Sequence, residues 1–150
     1  MWPGKTRHAA IKQLQEFYVR RINQLEHCEI IETKEARGIP EKEEDRIKEI
    51  ESEGLEKHLK NDYIICLFDK GKEMNSQEFA RFIERAAERP TRAVTFVVGG
   101  FLGLAERLTD RADCLLSLSK MTFSHEMSRV MLLEQIYRSL SIAKGRQYAK

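Results

Sequence analysis

The sequence predicts an α/β fold, a mainly parallel sheet flanked by helices, and three observations lead to it. Tyr63–Phe68 (YIICLF), Ala93–Val98 (AVTFVV) and Cys114–Leu118 (CLLSL) are strand-length runs that are apolar at almost every position, as strands covered on both faces are. Segments with helical spacing of apolar residues separate or flank these runs, so the connections are crossovers rather than hairpins. Each run is followed by a loop, Asp69–Asn75, Gly99–Gly103 and Ser119–Phe123, two of them rich in glycine or small polar residues. In an open parallel sheet such loops gather beyond the carboxyl ends of the strands, where ligands bind.

Taken in order, Thr6 is placed to cap a first helix in which Ala10, Ile11, Leu14, Phe17, Tyr18, Ile22 and Leu25 recur at three- and four-residue spacing. Cys28–Glu32 is a short β-branched run read as a strand. Glu41–Leu59 carries 8 acidic residues around Ile47, Ile50, Leu55 and Leu59, a helix with a strongly solvated face that is interrupted or ended near Gly54. After the strand at Tyr63–Phe68, Asn75 followed by Glu78 fits a capping box that opens a helix running to about Glu88. Arg89-Pro90 ends it. Ser124 caps the last helix, whose Met127, Val130, Met131, Leu133, Ile136, Tyr137 and Leu140 form one stripe.

A chain of 150 residues with 41% hydrophobic content is expected to make a single domain, residues 1–150, with a real core. The longest nearly apolar stretch, Ala93–Ala105, contains two adjacent glycines and is too short for a membrane span. The net charge of +2 supports no blanket polycation argument. Divided along the chain it is uneven: residues 1–62 hold 12 basic and 14 acidic side chains, residues 63–150 hold 14 and 10, and from Cys114 onward the count is 6 to 2. A polyanion would be met by that last quarter. Cys28, Cys66 and Cys114 have no metal-binding spacing and read as buried thiols in a reducing cytoplasm, with neither a disulfide framework nor a metal expected.

Among candidate motifs, Gly99-Gly100-Phe101-Leu102-Gly103 follows a strand and allows close backbone approach to a ligand, though it is not G-x-G-x-x-G and a tight turn explains it equally well. Gly4-Lys5-Thr6 lacks the upstream glycine of a phosphate loop. His125 and Glu126 are adjacent on a helix and so diverge, and no H-E-x-x-H zinc pattern follows. Glu134 and Arg138 are an i, i+4 pair. No nucleophile elbow is present, which disfavours hydrolase chemistry.

Three blocks together resemble the ribosomal RNA large subunit methyltransferase H family of the SPOUT superfamily. They are Leu67–Lys72 with Ser76, then Phe96–Leu104, and then Leu116–Arg129 continuing through Leu133–Arg138. The third block is long and specific. The resemblance implies an S-adenosylmethionine-dependent enzyme, without a metal, that methylates N3 of a pseudouridine in 23S rRNA of the assembled ribosome. It also implies a cytoplasmic homodimer, not bound to a membrane, with a C-terminal trefoil knot over about residues 63–150. By motif match, Leu67, Gly99, Leu118, Ser119, Lys120, Met121, Thr122 and Phe123 would hold the cofactor. His125 and Arg129 would contact RNA, and Tyr148 would stack on or orient the base.

Two departures from the family pattern bear on function. The family ends in Tyr-His-basic, whereas this chain has Tyr148-Ala149-Lys150, and alanine offers no ring nitrogen. That motivates the alternative of a catalytically weakened SPOUT-type protein that binds RNA or the ribosome. The family also has a strand before the glycine that aligns with Gly4, and here only Met1-Trp2-Pro3 precedes it, so a truncated first strand is expected.

Overall fold

The computed structural model describes residues 1–146. Trp2–Pro3 (β1) pairs in parallel with Glu32–Thr33 (β2), and Val94–Val97 (β4) and Cys114–Ser117 (β5) lie in parallel on either side of Tyr63–Glu73 (β3). The two ladders are joined through Met1, whose backbone nitrogen donates to Phe96 O at 2.6 Å while Val98 N donates to Met1 O at 3.0 Å. These bonds follow the parallel pattern. The strands therefore run β2-β1-β4-β3-β5, and the α/β reading with a parallel sheet holds.

Alternation within the strands builds a core on each face of the sheet. Ile65, Val98 and Leu116 join Trp2, Ile22, Phe79, Ile83, Leu132, Leu133 and Tyr137 on one face. This face is covered by Ala9–Asn23 (α1), Ser76–Ala87 (α3) and His125–Ala143 (α5). Ile64, Cys66 and Val97 join Met1, Leu55, Leu59 and Leu108 on the other, under Glu44–Glu56 (α2) and the short Glu106–Asp110 (α4). Each fully buried aliphatic or aromatic side chain stabilises the fold by roughly 1.5–3 kcal/mol.

The capping box at the head of α3 forms as expected: Asn75 Oδ1 accepts from Gln77 N and Glu78 N, and Glu78 Oε2 accepts from Asn75 N at 2.8 Å. Ser124 Oγ accepts from Met127 N and caps α5. Other expectations are corrected. Thr6 does not cap α1; the cap position is His8, with no side-chain bond, because Thr6 is buried and its hydroxyl donates to Gln15 Oε1 at 2.8 Å. The strand expected at 28–32 is a ladder at Glu32–Thr33 only, fixed by its β1 partner. The helix expected to end near Gly54 passes through it and ends two residues on, at Glu56. The loop expected from Asp69 is a continuation of β3, in which Lys72 and Glu73 pair with Leu116 and Ser117 after a register shift. No helix is expected at 106–110, where five residues are too few to show a period.

Trp2–Pro3, where little strand is expected, is buried and bonded to the segment around β2: Trp2 N donates to Ile31 O and Gly4 N to Thr33 O.

Candidate functional site at the carboxyl edge of the sheet

Gly99 and Leu118 follow the carboxyl ends of β4 and β5, and Leu67 lies between them inside β3, at its register shift. Their proximity follows from register: Cys66 pairs with Val97 across β3 and β4, and Leu67 pairs with Leu116 across β3 and β5. Gly99 is buried, and a Cβ there would stand 2.5 Å from the carbonyl carbon of Gly103. The residue must be glycine because Gly100 and Gly103 pair back on each other, with Gly103 at φ +90°. This closes a tight hairpin at the strand end.

After β5 the chain is shaped by its own serines. Ser117 Oγ donates to Ser119 O at 3.1 Å, and Ser119 Oγ accepts from Met121 N at 3.0 Å. Leu67, Leu118, Ser119 and Phe123 are half-buried, while Lys120, Met121 and Thr122 are exposed. Met121 is 73% exposed and Phe101, on the neighbouring hairpin, 77%. The edge thus combines backbone at close approach with uncovered apolar side chains, a composition suited to a nucleoside bearing an amino-acid arm. The residues present fit S-adenosylmethionine on that ground.

The same turn runs directly into α5. His125 is half-buried at its first position, and burial together with the Arg129 charge lowers the imidazole pKa, leaving it neutral at neutral pH. Burial alone would raise the Glu126 carboxyl. It is held below its ordinary range because it accepts from Arg7 N at 2.7 Å and His8 N at 3.4 Å. A carboxylate from the last helix therefore serves the unsatisfied amides ahead of the first.

Arg129 is 1% exposed. Its Nη2 donates to Pro3 O at 2.7 Å and Nη1 to Thr6 Oγ1 at 3.2 Å, and the guanidinium carbon lies 5.0 Å from the centre of the Trp2 ring. Burial lowers its pKa to about 10 against the opposing fields of Glu126, Glu32, Glu35 and Glu51, so it stays charged at neutral pH. Among the described residues its Nε has no hydrogen-bond partner.

The structure thus brings Leu67, Gly99 and the 118–123 turn together, and places His125 and Arg129 on the helix that follows, against β1. Tyr148 and Ala149 lie outside the described residues. Glu134 accepts both Nε and Nη2 of Arg138, at 3.1 and 2.6 Å. Among the described residues no group of three metal-ligating side chains occurs, and no helix is long and apolar enough to cross a membrane. Cys66 is fully buried, which pushes its thiol up to about 12.

Sequence reasoning missed Glu51 and Ser52 on α2, which are 5% and 1% exposed and reach the glycine hairpin. Their acidic and polar surroundings hide them. The signal that finds them is position: Glu51, Leu55 and Leu59 recur every four residues, on one helical face.

A family model described as "Predicted SPOUT methyltransferase" matches residues 1–149. Among curated proteins, ribosomal RNA large subunit methyltransferase H 1 of Clostridium perfringens (strain SM101 / Type A) is 39% identical over 98% of this chain and 95% of its own length. The methyltransferases H of Clostridium botulinum (strain Kyoto / Type A2) and Clostridium acetobutylicum are 40% and 39% identical, with the same coverage.

Proposed function

The chain belongs to the ribosomal RNA large subunit methyltransferase H family of SPOUT methyltransferases, and from that premise we propose that it methylates N3 of a pseudouridine in 23S rRNA, using S-adenosylmethionine. In this reading it acts as a cytoplasmic homodimer on the assembled ribosome, and about residues 63–150 form the family's trefoil knot. The observation that supports the reading is the register of three adjacent parallel strands, which puts Leu67, at the shift inside β3, level with Gly99 after β4 and the Leu118–Phe123 turn after β5. S-adenosylmethionine, when bound, supplies an electrophilic methyl group on a sulfonium.

The residues divide the remaining work. Backbone groups of Gly99 and Leu118–Phe123 bind the adenosine and amino-acid moieties, with the side chains of Leu67 and Met121 as apolar walls. Fixing the donor in line with the ring nitrogen supplies much of the rate. The nitrogen must shed its proton before or during attack, and a buried cation favours the anion that results. Arg129, too deeply buried for the RNA contact expected of it, provides that charge from inside the protein while it positions β1. His125, neutral and half-exposed, meets RNA by hydrogen bonding rather than by charge, and Tyr148 orients a base extruded from its stack. The excess of basic residues after Cys114 meets phosphates.

Exposed Met127 and Met131 on α5, at 38% and 37%, and Leu14 and Phe17 on α1, at 45% and 40%, support a second copy of the chain as partner. The deciding experiment is transfer of labelled methyl groups to ribosomes from cells that lack the endogenous enzyme. Label on the pseudouridine N3 is expected. Cofactor binding with no transfer to any ribosomal substrate would overturn the proposal.

A further inference from the structure

Helix α2 grips the glycine hairpin with two buried side chains from the far side of the sheet. Ser52 Oγ accepts from Ala105 N at 3.0 Å, just beyond the hairpin. Glu51 Oε2 occupies the space beside Gly100, where an added Cβ would stand 2.4 Å from it. A carboxylate oxygen therefore lies against the backbone of the residue next to Gly99.

Glu51 is a costly residue to keep there. It is 5% exposed, and among the described residues its carboxylate accepts one hydrogen bond, from Ala36 N to Oε1 at 3.1 Å, and makes no ion pair. The charged groups that face it are Glu35, on the segment after β2, and Arg129 on α5. Glu35 is engaged by Arg7 at 2.5 Å, and Arg129 bonds to Pro3 and Thr6. A buried carboxylate lacking its own counter-ion is destabilising, whereas a cation arriving at the hairpin would offset that cost.

We propose that Glu51 is a positioning residue for the methyl donor: it sets the Gly100 backbone by contact and favours a cationic ligand at the hairpin over a neutral one. The inference rests on the cofactor reading above. S-adenosylmethionine carries one net positive charge at neutral pH and the product S-adenosylhomocysteine none, so an ionised Glu51 helps the site hold the donor and release the product. Burial raises the Glu51 pKa and the Glu35 charge adds to this, with the Ala36 amide and Arg129 opposing. Acidification therefore neutralises Glu51 earlier than an ordinary carboxyl, and the preference for the donor fades.

The test is calorimetric binding of both ligands to the full-length chain from the ordinary carboxylate value of 4.5 up to pH 8, for the natural protein and Glu51→Gln. In the natural protein the preference for donor over product is expected to grow with pH by about three- to tenfold, the scale of one unit charge acting over roughly 12–25 Å at an effective dielectric of about 20. Glu51→Gln flattens that profile, and Glu51→Asp restores part of it. An unchanged profile in Glu51→Gln overturns the proposal. Failure of both ligands to bind the natural protein sinks the cofactor reading itself, a different result. If Glu51→Gln does not fold, Gly100→Ala tests the contact instead. Its Cβ meets Glu51 and weakens both ligands, and Glu51→Ala in the same chain relieves the loss. Additive effects overturn the proposal.

Discussion

With Nη2 on the Pro3 carbonyl and Nη1 on the Thr6 hydroxyl, the Arg129 guanidinium ties the final helix to the first strand from a site closed to solvent. Arg129→Ala removes the charge, leaves Pro3 O unsatisfied and opens a cavity under Trp2, and is expected to cost about 3 kcal/mol of stability. Arg129→Met retains most of the packing without a buried charge and is expected to cost less than half as much. Urea unfolding at neutral pH without ligand compares the two, and equal losses would show that packing is not what distinguishes them. The inward course of Arg129 is not legible from its neighbours, since Met127 to Leu133 read as one apolar stripe interrupted by a surface cation. Only the arrival of Pro3 and Thr6, more than a hundred residues away in sequence, makes the buried position tenable. Glu51 is hidden for the same reason, because what buries it is the glycine hairpin and the segment around Ala36.

Elements capped by their own sequence are the legible ones. Asn75 with Glu78, and Ser124 with Met127, satisfy helix amides within a single turn, so their signals survive without tertiary information. The start of α1 is different, because the Arg7 and His8 amides just ahead of it are met by Glu126 from α5. The bonded carboxylate has a folded-state pKa below its ordinary 4.5, so its contribution is present above pH 4.5 and is lost as pH falls through the lower folded value. His125, also depressed, acts in the same direction at higher pH: below about 6.5 the unfolded chain takes up a proton that the folded chain resists. Glu126→Gln is therefore expected to lower stability at pH 7 while leaving less to lose between pH 5 and 3. Thermal unfolding across that range measures it, and an unaltered acid slope would contradict the assignment. The polar end of β3 is silent in sequence because Lys72 and Glu73 become strand only by pairing with Leu116 and Ser117.

For the molecule as a whole, the two-sided sheet is readable because Ile64, Ile65 and Cys66 must each find a covered face. The position of β1 between β2 and β4 is not, since two residues carry no period. The outer surface of α5 is the other whole-molecule feature. The helix is apolar around more of its circumference than one core requires, with Met127 and Met131 one turn apart and uncovered. If a second copy covers them, Met131→Glu is expected to shift the assembly toward monomer at micromolar concentration and to reduce methyl transfer at least tenfold, while each chain remains folded. Sedimentation with circular dichroism distinguishes this outcome from unfolding, and an unperturbed dimer would place the interface elsewhere.

The bond between Arg129 and Pro3 also has a meaning in time. Synthesis runs from the first strand to the last helix, yet Pro3 and Thr6 find their partner only when α5 is available. A nascent chain lacking that helix has a first strand without its anchor, and pairings so distant in sequence form slowly. Completion of the fold is therefore postponed until near the end of translation. A member of an rRNA methyltransferase family is in this way kept immature until its own synthesis is nearly complete.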